Sequence, residues 1–157
     1  MAMPEAGAPA PPFELPDQSG GTVSLAGLSG QWVVLYFYPR ADTPGCTTQA
    51  CSVRDRSTEY ADKGARVIGV SPDEVDAIAK FDTKYDLGFT LLADPDHSVA
   101  EAYGAWVEKS MGGNTWWGNE RSTVLVDPEG TIARVFPKVK PAEHDDLLLG
   151  ALQELAA

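Results

Sequence analysis

The sequence predicts an α/β fold, a central mixed β-sheet flanked by helices, with an N-terminal hairpin extension. Three observations predict it. The segment Trp32-Val33-Val34-Leu35-Tyr36-Phe37-Tyr38 is continuously apolar, β-branched and aromatic, the pattern of a strand covered on both faces. Further strand-like runs alternate with stretches of helical period. The 157 residues, 43% hydrophobic and 22% charged, suit one domain that buries its own core.

Residues 1–12 are rich in Pro and Ala and are expected to form a loose N-terminal arm before a single domain over 13–157. Phe13-Glu14-Leu15 and Thr22-Val23-Ser24 flank a polar turn and predict a short hairpin. Pro39 ends the apolar strand. Thr43-Pro44-Gly45 then reads as a helix start, Thr43 as N-cap and Pro44 at the first position, with the helix running from about Cys46 towards Tyr60. Arg66–Val70 is the next strand. Ser71-Pro72-Asp73-Glu74 resembles a capping box opening a helix in which Val75, Ile78, Ala79 and Tyr85 share a face. Phe89–Leu92 is a further core strand, and Asp94-Pro95 opens a short helix. Thr123–Val126 and Thr131–Val135 flank Asp127-Pro128-Glu129-Gly130, a hairpin signal. Leu147, Leu148, Leu152 and Leu155 mark a closing amphipathic helix. This βαβ…ββα order is that of a thioredoxin-like fold.

Charge narrows the function. Twelve basic against 23 acidic residues leave a net charge of −11, and no Lys/Arg cluster supplies the counterion release on which nucleic-acid binding depends. Anionic membrane surfaces are disfavoured for the same reason. Arg40 is the first basic residue and residues 1–12 hold no apolar stretch, so no secretory signal is read and a cytoplasmic location is expected. Thiols are kept reduced there, and the two cysteines, Cys46 and Cys51, are not expected to be a structural staple.

Cys46 directly follows a strand end, in the first turn of the predicted helix. Free backbone N–H groups and the positive end of the helix dipole favour a thiolate there. Dipole and cap together supply only about 1 to 2 kcal/mol, too little for a thiolate at neutral pH, so a cationic partner is expected. Arg121, at the mouth of the Thr123–Val126 strand, is the best candidate, ahead of Arg40. An inert buried cysteine is the competing reading, but such cysteines belong in apolar surroundings rather than a polar turn. Thr43 serves equally as a simple cap or as a substrate contact. At i, i+5 on an ideal helix, Cys46 and Cys51 have Cα atoms roughly 8.6 Å apart, beyond the disulfide window of about 4.4–6.8 Å. They can pair only if the first turns unwind, and Thr47, Thr48, Ser52, Ser57 and Thr58 are mediocre helix formers.

The segment Tyr36-Phe37-Tyr38-Pro39-Arg40-Ala41-Asp42-Thr43-Pro44-Gly45-Cys46-Thr47-Thr48-Gln49-Ala50-Cys51 resembles the active-site segment of peroxiredoxins of the bacterioferritin comigratory protein, or peroxiredoxin Q, type. Pro39, Thr43 and Cys46 meet that family's P-x-x-x-T-x-x-C signature, and Cys51 its extra helix cysteine. Ala8-Pro9 to Asp17, Val67–Asp73, Phe89–Asp94 and Glu120–Thr123 also look like family segments. The resemblance implies reduction of hydroperoxides. It makes Cys46 the peroxidatic thiolate, oxidised to a sulfenic acid, and Cys51 the thiol that resolves it as an intramolecular disulfide. Thr43 and Arg121 would hold the thiolate and polarise the departing oxygen, while Pro39 would shield the site from water. Thioredoxin would be the reductant, with no metal, flavin or haem, and intramolecular resolution points to a monomer.

Arg40 stands where Lys is commoner in that family, and Met111–Trp117 is an unusually aromatic, Gly-rich loop. Its two tryptophans are read either as packing or as shaping a peroxide or reductase contact. Three other functions compete. A thiol–disulfide reductase would want C-x-x-C, and four residues separate these cysteines. A metal site drawing on His97 or His144 lacks any ligand spacing, because Cys46 and Cys51 do not share a helix face. Both histidines are expected at helix starts, His144 solvated. A chaperone or scaffold would tolerate loss of both thiols.

Overall fold

The computed structural model describes residues 3–156; residues 1, 2 and 157 of the expected arm and domain lie outside them. Trp32–Phe37 (β3) is the centre of a five-stranded mixed sheet. Ala65–Ser71 (β4) pairs with it in parallel, and Thr90–Ala93 (β5) extends that side. Ser122–Val126 (β8) and Ile132–Phe136 (β9) continue antiparallel on the other side. Alternate β3 side chains enter separate cores, as a two-faced strand requires. Val34 and Tyr36 lie in one cluster with residues of Pro44–Asp55 (α1), Ser57–Asp62 (α2), Val75–Tyr85 (α3) and His144–Leu155 (α5). Val33, Leu35 and Phe37 lie in the other, with Ser98–Ala102 (α4) and the N-terminal hairpin of Glu14–Pro16 (β1) and Thr22–Ser24 (β2). This is the thioredoxin-like arrangement expected, hairpin extension included.

Several local expectations are corrected. The helix from Cys46 towards Tyr60 is two helices, because Arg56 leaves helical geometry (φ −107°, ψ 15°) and its guanidinium is drawn to Glu59 and to Asp146 of α5. Ser71 caps nothing. It ends β4 and donates to Asp73 at 2.7 Å. The aromatic loop is a hairpin of Trp106–Met111 (β6) and Asn114–Asn119 (β7), turning on Gly112 and Gly113 at φ 58° and 87°, the backbone that a two-residue turn demands and glycine permits. Leu147 and Leu155 face outward, and Leu148, Leu149, Ala151 and Leu152 carry the buried face of α5. His144 is fully buried rather than solvated, with Nε2 3.0 Å from Thr123 Oγ1 and its ring 5.3 Å from that of Tyr36.

The N-terminal segment meets both edges of the sheet. Gly7 donates to Ile132 O, Ile132 to Ala8 O and Ala10 to Gly130 O, at 2.8 to 2.9 Å, so this part of the arm is tied down rather than loose. At the opposite edge, Asp17 bridges Leu92, and Gln18 accepts from Leu91 N and donates to Phe89 O. No helix of the described residues is long and apolar enough to cross a membrane.

Candidate active site

Tyr38 makes the last backbone bond of β3's line, to Val70 O at 3.1 Å, and the chain bends at half-buried Pro39. The loop that follows is held from α3's side. Ala41 N donates to Asp73 Oδ2 at 2.8 Å, the same carboxylate oxygen that takes Ser71. Asp42 adopts the left-handed conformation (φ 60°), and its carboxylate receives Lys84 Nζ and the Tyr85 hydroxyl, both at 2.8 Å. Those two donors, Lys84 first, hold its carboxyl below the usual range. Arg40 is exposed to solvent, and Arg121 rather than Arg40 is the arginine that reaches Cys46.

Thr43 precedes α1 but caps no N–H group. Its hydroxyl donates back to Arg40 O at 2.9 Å, while its carbonyl takes the first helical bond, from Thr47 N at 2.8 Å. Pro44 is at the first helical position as expected, and Cys46 is the third residue of α1, 1% exposed within the apolar cluster. Arg121, between β7 and β8, spans the approach to it. Nη2 lies 3.3 Å from Cys46 Sγ, and Nη1 donates to Gln49 Oε1 at 2.6 Å. The guanidinium fork thus holds the sulfur with one arm and a buried amide with the other, a geometry a lysine does not have. Gly45 leaves room for it, since a β-carbon there would stand 3.1 Å from Nη2.

Tyr36 and Tyr38 line the apolar side. Burial, then the neighbouring Tyr38 and Cys46, pushes the Tyr36 phenol well up, and burial does the same for Tyr38, so both are neutral hydroxyls at any ordinary pH. Cys51 follows on α1, half-buried, and both cysteines are free thiols. The structure therefore brings Cys46 and Arg121 into contact, with Thr43 and Pro39 on the connecting loop and Cys51 on the same helix. Gln49 and Asp73 were not legible in the sequence. Gln49 is one helical turn beyond Cys46, and that i, i+3 position was the available signal. Among the described residues no group of three or more His, Cys, Asp or Glu side chains is gathered as a metal ion would need. His97 instead stacks on Trp106, ring centroids 4.0 Å apart.

Comparison with known proteins agrees with this geometry. Residues 6–135 match the AhpC/TSA family. Peroxiredoxin Bcp of Escherichia coli (strain K12) is 46% identical over 152 residues, covering 97% of each chain. Peroxiredoxin Bcp of Bacillus subtilis (strain 168) is 43% identical over the same coverage. Among solved structures, peroxiredoxin Q of Xanthomonas campestris superposes with a TM-score of 0.88, at 37% identity and 92% coverage of both chains. A bacterioferritin comigratory protein from the same organism, described for its alkyl peroxide reduction activity, gives 0.90 at 35% identity, covering 98% of this chain and 100% of that one. With a helix-start cysteine in contact with an arginine, and this likeness running the length of the chain, the protein belongs to the AhpC/TSA family as a thiol peroxidase of the Bcp/peroxiredoxin Q branch.

Proposed function

We propose that Cys46 reduces hydrogen peroxide and organic hydroperoxides, that Cys51 resolves it, and that a thioredoxin-type dithiol completes the cycle. The contact of Arg121 Nη2 with Cys46 Sγ at 3.3 Å carries this reading. The guanidinium and the first turn of α1 both set positive charge beside the sulfur, the surroundings of a nucleophilic cysteine. The thiolate attacks the terminal peroxide oxygen, the O–O bond breaks, and the leaving alkoxide or hydroxide takes a proton to become alcohol or water. Cys46 is left as sulfenic acid, two electrons more oxidised. Arg121 stabilises the negative charge as it passes from sulfur to the departing oxygen. The Thr43 hydroxyl, donating to Arg40 O, keeps lone pairs that can accept the peroxide hydrogen. Pro39 offers no N–H to draw water to the loop.

The Cys51 thiolate then attacks the Cys46 sulfur, the S–O bond breaks, and water leaves after protonation. In an ideal helix Cα atoms five residues apart are separated by roughly 8.6 Å, so this step requires α1 to unwind through Cys51. Reduction by a dithiol returns both thiols. Resolution within one chain supports a monomer, and the net charge of −11 supports neither a nucleic-acid nor an anionic-membrane partner. A cytoplasmic site of action fits two cysteines that cycle between thiol and disulfide.

The test is consumption of hydrogen peroxide, and separately of an organic hydroperoxide, with thioredoxin, thioredoxin reductase and NADPH. Turnover is expected with both and is expected to vanish in Cys46→Ser; undiminished turnover in that variant would refute the mechanism. Peroxide-treated wild type should lose two hydrogens in mass without forming a dimer. A lasting sulfenic acid or a disulfide between chains would show that Cys51 is not the resolving thiol.

A further inference from the structure

The disulfide proposed above needs α1 to unwind, and the structure shows what holds the second half of that helix. Ser52, the residue after Cys51, donates through Oγ to Asp145 Oδ2. Tyr60 of α2 donates its hydroxyl to Oδ1 of the same carboxylate, and His144 Nδ1 stands 3.4 Å from it. One residue further along α5, Asp146 takes Arg56 Nη1 at 2.6 Å, at the break between α1 and α2. Asp145 is 3% exposed and Tyr60 1%. Peroxide chemistry at Arg121 makes no use of this carboxylate. A buried carboxylate is tolerable only while its partners are in place, so its binding energy is tied to the folded geometry of α1 and α2.

We propose that Asp145 is a positioning residue for the resolving step: it latches the second half of α1 in its folded place and so sets how fast Cys51 reaches Cys46. The proposal rests on the Cys46–Cys51 assignment. Cys51 is adjacent to the latched Ser52, so bringing it to the Cys46 sulfur loads the Ser52–Asp145 bond first. Two fates compete for the sulfenic acid. Attack by the Cys51 thiolate forms the S–S bond and releases water. While the helix stays folded, a second hydroperoxide instead adds its oxygen to the sulfur, giving sulfinic acid and leaving as water or alcohol. The latch lengthens the interval in which the second fate is open.

The experiment treats full-length protein with a series of hydrogen peroxide concentrations and measures disulfide against sulfinic acid by mass spectrometry. In Asp145→Asn the peroxide concentration that gives equal amounts of the two should rise about tenfold, the factor that 1.4 kcal/mol of lost hydrogen bonding represents. Tyr60→Phe, which removes one donor and keeps the ring, should move it the same way by less. A purely structural role would slow the first oxidation and leave the partition in place. An unchanged partition, or one moved towards sulfinic acid, overturns the latch, and Tyr60→Phe decides the matter alone if Asp145→Asn does not fold. Absence of the intramolecular disulfide in the wild type is a different failure, removing the Cys51 assignment and the latch with it.

Discussion

Arg121 reaches Cys46 across the face of Gly45, with Nη2 3.1 Å from the place where a β-carbon on that glycine would stand. Gly45→Ala should therefore push the guanidinium aside by a few tenths of an ångström and leave the fold intact. The expected outcome is kcat/KM for hydrogen peroxide lowered about tenfold, equivalent to about 1.4 kcal/mol of transition-state stabilisation. Thermal unfolding measured alongside should be nearly unchanged.

Arg121→Lys tests the fork. One ammonium cannot meet both Gln49 Oε1 and Cys46 Sγ in the geometry the two guanidinium nitrogens share. Activity should fall by about tenfold or more despite the retained charge. Gln49→Ala should produce a smaller loss of the same kind by freeing the other arm, and stopped-flow oxidation of Cys46 would measure both.

Gly69 lies beneath the Tyr36 ring, and a β-carbon there would sit 2.8 Å from Cζ. Both residues are on central strands paired in parallel register, and Tyr36 is 1% exposed, so neither can give way. Gly69→Ala should destabilise by about 1–3 kcal/mol. A fall in Tm of about 2–4 °C for each kcal/mol, followed by circular dichroism, checks it.

Burial pushes the Asp145 carboxyl up, but the nearby His144 ring and the hydrogen bonds from Ser52 and Tyr60 outweigh it and hold the group below its usual range. A carboxyl depressed by folding stabilises the protein above its unfolded value of about 3.9, and that contribution is lost as pH falls through the lower folded value. The stability gap between wild type and Asp145→Asn should be widest near neutrality and should close in strong acid. Denaturant titrations across that range measure it.

Trp116 and Trp117 are 46% and 56% exposed on β7. Replacing both with Ser should alter stability by no more than about 0.5 kcal/mol per site, as urea unfolding would show.

What the sequence revealed and what it hid divide along sequence distance. Cys46 at a helix start, the covered strand around Leu35 and the Asp127–Gly130 turn are local patterns, and each is found where expected. Arg121 was reachable because a thiolate at that turn demands a cation. Gln49 escaped because its burial depends on Arg121, 72 residues away. His144 escaped for the same reason: a polar residue opening a helix reads as solvated until Thr123 and Tyr36 are known to lie against it. The β6–β7 hairpin was hidden by composition, since its glycines suggested a loop and its strands bury little.

The bonds that Gly7, Ala8, Ala10, Asp17 and Gln18 make to the margins of the sheet bear on life under oxidative stress. Damaged chains accumulate then, and an unpaired strand margin is where a stray segment adds on and an aggregate begins. Here residues 7–10 and 17–18 occupy part of each margin of the five-stranded sheet, which leaves a stray segment less of it to pair with.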